Sequence, residues 1–154
     1  MLKGSMLDLI FIMVFVIAVV IGGIISAKVY FSISDKLKEH NMSVEILDEG
    51  GKAINNFLNA VPIIILAMGV GAIILAFLIP SHPAFAPISF ILLVLYMTIS
   101  MTFSNVLYRF LSSESIVSIA NQYPLLATIA TNLHWIIGTI GFILIVVMYS
   151  KSRW

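Results

Sequence analysis

A chain of 154 residues that is 61% hydrophobic and 10% charged, with a mean hydropathy of +1.14, holds more apolar surface than a soluble domain of its size can bury. A net charge of +1 without any basic cluster excludes a direct electrostatic nucleic-acid site, and the absence of cysteine excludes disulfides and thiolate metal or redox centres in this chain. The expected class is all-α and integral to a membrane, with about four transmembrane helices in one domain over 1–154.

The first span is expected at about 9–27. Leu9 to Ala27 is a run without a charged residue, rich in Ile, Val and Phe, and its 19 residues rise about 28 Å, close to the thickness of a bilayer's hydrocarbon core. Lys3 ahead of this run imitates a secretory signal, but the run exceeds a signal core and no Ala-x-Ala-like site follows, so a retained helix is expected. Lys28 and Tyr30 then read as anchors at the membrane–water interface.

A polar loop is expected over 28–52. It carries Lys28, Asp35, Lys36, Lys38, Glu39, Glu45, Asp48, Glu49 and Lys52, the one extended charged stretch in the chain. Ser34–Glu39 is suited to prolong the first helix and Met42–Glu49 to form a short amphipathic turn, with Gly50-Gly51 breaking the chain. The reading is a solvated connector, with a partner-binding surface as the alternative.

Between Lys52 and Arg109 no Asp, Glu, Lys or Arg occurs, room for two spans. The second is expected at about 57–79, with Asn55, Asn56 and Asn59 near headgroups and Pro62 in its first turns, where a missing N–H is tolerated. Pro80, Pro83 and Pro87 enforce a tight turn before a third span at about 88–107, bordered by Tyr108 and Arg109. Residues 110–126 read as an interfacial segment, with Phe110, Leu111, Ile116, Val117 and Ile119 on lipid and a Ser-rich side facing water. The fourth span is expected at about 127–149, and Trp135, Tyr149, Lys151, Arg153 and Trp154 anchor it. Five Lys/Arg fall in the two longer loops and three near the termini, a balance that favours internal loops and external termini.

Small residues at four-residue spacing are the candidate helix-packing sites: Gly22 with Ser26, Gly23 with Ala27, Ala67 with Gly71, Ala72 with Ala76, and Ser100 with Ser104. Such pairs let helix backbones approach closely in lipid, within one bundle or between copies. The intramembrane polar residues are Ser89, Thr98, Ser100, Thr102, Ser104 and Asn105 in the third span and Thr128, Thr131, Asn132 and Thr139 in the fourth. Asn105 and Asn132 are expected to bond across the bundle to hydroxyls or free carbonyls.

No Asp, Glu, Lys or Arg falls within the expected spans, which argues against proton relays, voltage sensing and coupled transport. His40, His82 and His134 are scattered, with His134 read as an interfacial residue beside Trp135. No nucleophile with its base, phosphate-cradling loop or buried carboxylate pair occurs, so no enzyme, cofactor or metal is expected.

The order of Thr102-Phe103-Ser104-Asn105-Val106-Leu107-Tyr108-Arg109-Phe110, Tyr123-Pro124, Thr131-Asn132-Leu133 and Val147-Met148-Tyr149-Ser150-Lys151 resembles small four-helix membrane proteins encoded by bacterial and archaeal viruses, including tailless icosahedral viruses with an internal membrane. The resemblance spans roughly 57–151. It implies a structural role in the virion membrane, with copies packed against one another or against capsid proteins. A holin-like pore-former or a small subunit of a larger membrane complex, in a host cell membrane, are the alternatives.

Overall fold

The computed structural model describes residues 6–40, 44–78 and 85–151. Six helices follow in order: α1 (Met6–Glu39), α2 (Val44–Leu78), α3 (Phe85–Leu111), α4 (Val117–Ala120), α5 (Pro124–Thr131) and α6 (Leu133–Lys151), and the described residues contain no strand. The chain is an all-α membrane bundle in which four helices are long and apolar enough to span a bilayer.

Burial follows the helical repeat. On α1 the residues Leu9, Val16, Val20, Ile24 and Ala27 are almost wholly covered, as are Leu58, Val61 and Ile65 on α2, and Leu133, Ile137 and Leu144 on α6. Each set recurs every three or four residues, one stripe per helix turned to a shared centre. The opposite faces are equally apolar, with Phe11, Ile63 and Ile91 each about two-thirds exposed. A helix apolar on both its covered and uncovered faces is one whose solvent is hydrocarbon, where every backbone group must be paired inside the segment.

Close approaches set the topology. A Cβ built on Gly23 of α1 would lie 2.6 Å from Leu58 of α2, and one on Gly69 of α2 would lie 2.6 Å from Ile140 of α6. A Cβ on Gly138 would lie 2.9 Å from Met97, and Gly141 sits against Leu93 of α3 and Leu9 of α1. Neighbours α1 and α2 therefore run antiparallel, as do α3 and α6. The turn between α1 and α2 and the connector between α3 and α5 lie at one end of the bundle, and the Met6 end of α1 and the Lys151 end of α6 at the other.

The polar stretch 28–52 is not a loop. Helix α1 continues to Glu39 and α2 begins at Val44, so the charged residues ride on two long helices of 34 and 35 residues. At 1.5 Å per residue these reach about 50 Å, some 20 Å more than the hydrocarbon core requires. Gly50-Gly51 does not break the chain: Gly50 lies under Tyr30, and Gly51 faces Phe31, 3.5 Å from its ring for a built Cβ. Glycine's weak helix propensity, about 1 kcal/mol, is offset by the ring packing that only a missing side chain allows. Part of the expected turn, 41–43, falls outside the described residues.

Other boundaries shift as well. Pro62 is buried well inside α2 instead of in a first turn, because that helix starts before the membrane does. The third span starts earlier and ends later than 88–107, with Pro87 in its first turn, where no N–H is needed. Most of the proline-rich turn, 79–84 with His82, falls outside the described residues. Within 110–126 α3 runs on to Leu111 and α5 starts at Pro124, with the one-turn α4 between them, and Leu111, Ile116 and Ile119 are buried against the bundle instead of lying on lipid. The fourth span is interrupted: α5 ends at Thr131, Asn132 leaves helical geometry at φ −110° and ψ 21°, and α6 resumes at Leu133.

Candidate functional site

The small-residue pairs divide into two groups. Gly23 and Ala27 face inward, the first against Leu58 and the second wholly buried, and Ala72, Ala76, Ser100 and Ser104 are likewise covered. Gly22 and Ser26 are exposed, and a Cβ on Gly22 would meet nothing within 4 Å. Ala67 is also exposed, and Gly71 meets nothing. Three pairs thus hold the bundle together, while Gly22–Ser26 and Ala67–Gly71 look outward. Sequence spacing missed Gly69, Gly138 and Gly141, which make contacts between the membrane helices as close as that of Gly23 or nearly so. Gly138 and Gly141 are spaced by three, a signal the four-residue pattern does not register.

The polar groups mostly serve their own helices. Thr98 donates to the Val94 carbonyl (2.9 Å), Thr102 to that of Thr98 (3.2 Å), Ser100 to that of Met97 (3.0 Å) and Thr131 to that of Ala127 (2.9 Å). The contact that crosses between helices is Ser104 Oγ with His134 Nδ1, at 3.3 Å. Asn132 does not bond across the bundle: its amide donates to the Thr128 carbonyl at 2.9 Å and approaches Thr131 Oγ1 at 3.3 Å. Its own break in the helix leaves carbonyls one turn back within reach, so the nearest acceptor is local. Asn105, Thr128 and Thr139 are exposed on the outer surface.

Height explains those exposed amides. The Ser104–His134 contact aligns α3 with α6, Gly23 on Leu58 aligns α1 with α2, and Gly141 against Leu93 and Leu9 ties the two pairs together. On this alignment Asn59, Asn105 and Asn132 fall within about one turn of a common level. Below it α2, α3 and α6 continue for about 19 residues, about 28 Å, the thickness of the hydrocarbon slab. The three asparagines therefore mark its upper edge, where polar side chains are tolerated on the outer surface.

Above that level stand Lys28, Lys52, Tyr108 and Arg109, the last three exposed. Tyr108 and Arg109 sit as an aromatic and a cation at a membrane border should. Tyr30 is only half exposed: its hydroxyl donates to the Leu47 carbonyl and its ring meets Phe31 edge-on, centroids 5.8 Å apart, so it ties α1 to α2. Trp135 is 65% exposed, tilted against the His134 ring at 5.6 Å. Tyr149 is exposed near the far end, and Arg153 and Trp154 lie outside the described residues.

The aqueous half of the α1–α2 hairpin is stitched from side to side. Lys38 and Asp48 pair at 2.8 Å, and this hydrogen bond raises the Lys38 pKa above its ordinary value. At the base of the hairpin Tyr123, the residue before α5, is 2% exposed and donates its hydroxyl to Asn55 of α2. Burial raises the Tyr123 pKa, keeping the phenol protonated and able to donate. Asn55 was read as a headgroup-level residue and Tyr123 only as part of a Tyr-Pro step, and nothing in the sequence paired the two. Among the described residues no group of three metal-ligating side chains occurs, and His40 at the hairpin tip stands far from His134.

Family models, curated proteins and solved structures were compared with the chain, and none of the three comparisons returned a match.

Proposed function

We propose that this chain is a non-catalytic structural membrane protein that assembles with copies of itself or with other membrane or capsid proteins, in the membrane of a virion. The observation that carries the reading is the outward Gly22–Ser26 pair, with open space above Gly22 on a helix whose other face is already packed. Among the described residues that face has no partner, and a small-residue face at the membrane border lets a second helix approach closely. No Asp, Glu, Lys or Arg occurs in 9–27, 53–108 or 115–150, and most intramembrane hydroxyls are turned to their own backbone, which supports packing over transport. The virion setting comes from the resemblance of 57–151 to small viral membrane proteins.

Native mass spectrometry of the chain in nanodiscs, with a search for co-purifying coat proteins, tests this reading. Assemblies of defined stoichiometry above the 16.9 kDa chain, or bound coat proteins, are the expected result. A monomer without partners would overturn it.

A further inference from the structure

The charges on the aqueous half of the hairpin occupy three of its four sides. Tyr30 on Gly50, Lys38 on Asp48 and Tyr123 on Asn55 fix which side of each helix faces which neighbour, and 100° per residue places the rest. Lys28, Asp35 and Glu39 turn toward the side where the α3–α5 connector packs. Lys36 turns away from α2, and Glu45, Glu49 and Lys52 turn away from α1. The fourth side, opposite the remainder of the bundle, carries Ile33 and Leu37 of α1 with Ile46, Ala53 and Phe57 of α2 and no Asp, Glu, Lys or Arg, and exposed His40 follows just past the end of α1. Ile33 and Phe57 are each 52% exposed and Ile46 is 76% exposed.

Lipid tails do not reach this face at its top. Ile33 and Ile46 stand roughly 20 Å above the asparagine level, counted along the helices, among Asp35, Lys36, Glu45 and Asp48. Bare aliphatic side chains at that height leave an apolar patch in water, which is the ordinary mark of a protein interface.

We propose that this uncharged side of the hairpin docks on the same side of a second copy across a two-fold axis normal to the membrane, α1 of each against α2 of the other. The inference rests on the self-associating reading above and names its contact. Three features fit a second copy. Ile33 and Ile46 share one height, so a rotation that preserves height brings Ile33 of one chain onto Ile46 of the other, as a self-complementary interface requires. The same rotation sets Lys36 on the flank of Glu45 and Glu49 of the second copy, also at nearly one height, pairing opposite signs at both rims. Below, the face runs on into Ser26 and Gly22 at the asparagine level, so an occupant that follows it starts at the membrane surface and rises roughly 20 Å above it, as this chain does.

The chain has no cysteine, so single cysteines report contacts directly. Full-length copies bearing Ile33→Cys and copies bearing Ile46→Cys, with different tags, are mixed in lipid vesicles and treated with a short bis-maleimide. The expected product is a mixed cross-linked dimer, lost when Glu39→Cys replaces Ile33→Cys and lost on adding Ile33→Asp to the Ile46→Cys copy. Lys36→Glu weakens dimerisation about tenfold, and Glu45→Lys with Glu49→Lys in the same chain restores it. Absence of the mixed product while native mass still reports an oligomer overturns this contact and leaves the self-associating reading standing. A monomer under all conditions overturns both. Equal cross-linking through Glu39→Cys also overturns the proposal, because that residue lies on the opposite side.

Discussion

The lower half of the bundle and the aqueous half of the α1–α2 hairpin are held by different means. Below the asparagine level the helices touch through glycines, with Leu93, Met97 and Ile140 pressed onto Gly141, Gly138 and Gly69. Above it, side chains bridge the two helices through the Tyr30 phenol and the Lys38–Asp48 ion pair. The difference follows from the solvent. In lipid, apolar burial gains nothing between helices, so close backbone approach and dispersion decide the packing. In water, the hairpin gains from covering Tyr30 and Phe31 and can afford charges on its other sides.

This contrast is broken most severely at Gly141. Gly141→Val places a branched side chain where Leu93 and Leu9 already sit, and overpacking of this kind costs about 3 kcal/mol. Unfolding in mixed micelles should show that loss, while Gly71→Val, in open space, should leave stability within about 0.5 kcal/mol of the parent. Equal effects at the two glycines would mean that the membrane half is not held by close backbone contact.

Gly50→Ala comes next, at about 1–2 kcal/mol net. The new methyl displaces the Tyr30 ring and its bond to Leu47, and improved helix propensity returns about 1 kcal/mol. Hydrogen exchange should quicken in 28–39 and 44–54 and stay unchanged in α3 and α6. Tyr123→Phe removes the bond to Asn55 and should cost about 1 kcal/mol, seen as faster exchange in α5.

The smallest effect is expected at the exposed ion pair. Asp48→Asn should return the Lys38 pKa toward its ordinary value, readable by NMR, with little change in stability. Because the pKa is raised in the folded state, the pair's contribution is present below the ordinary lysine value of about 10.4 and fades as pH climbs through the raised one. Loosening of the hairpin tip between pH 6 and 8 would contradict this assignment.

Chain class and the approximate seats of four spans were legible because long uncharged runs leave no other solvent than lipid. The continuity of α1 and α2 through 28–52 was less so, since Lys, Asp and Glu fit a solvated helix as well as a loop, and Gly50-Gly51 reads as a break until Tyr30 and Phe31 are known to lie over it. The inward pairs Gly23–Ala27 and Ser100–Ser104 obey a spacing rule that Gly22–Ser26 obeys equally. Which of two adjacent registers faces the core depends on helix neighbours, and sequence periodicity alone does not supply those. Asn132 was noticed as polar, yet its place just past the end of α5, outside helical geometry, is not something its residue type signals.

Because α1 and α2 each run as one helix from the membrane half into the aqueous half, the pair acts as a lever with its fulcrum at the headgroups. A thinner bilayer tilts the spans, and a tilt of about 10° swings a tip standing roughly 20 Å above the surface sideways by about 3 Å. Bilayer thickness is thereby converted into lateral position of the hairpin tip.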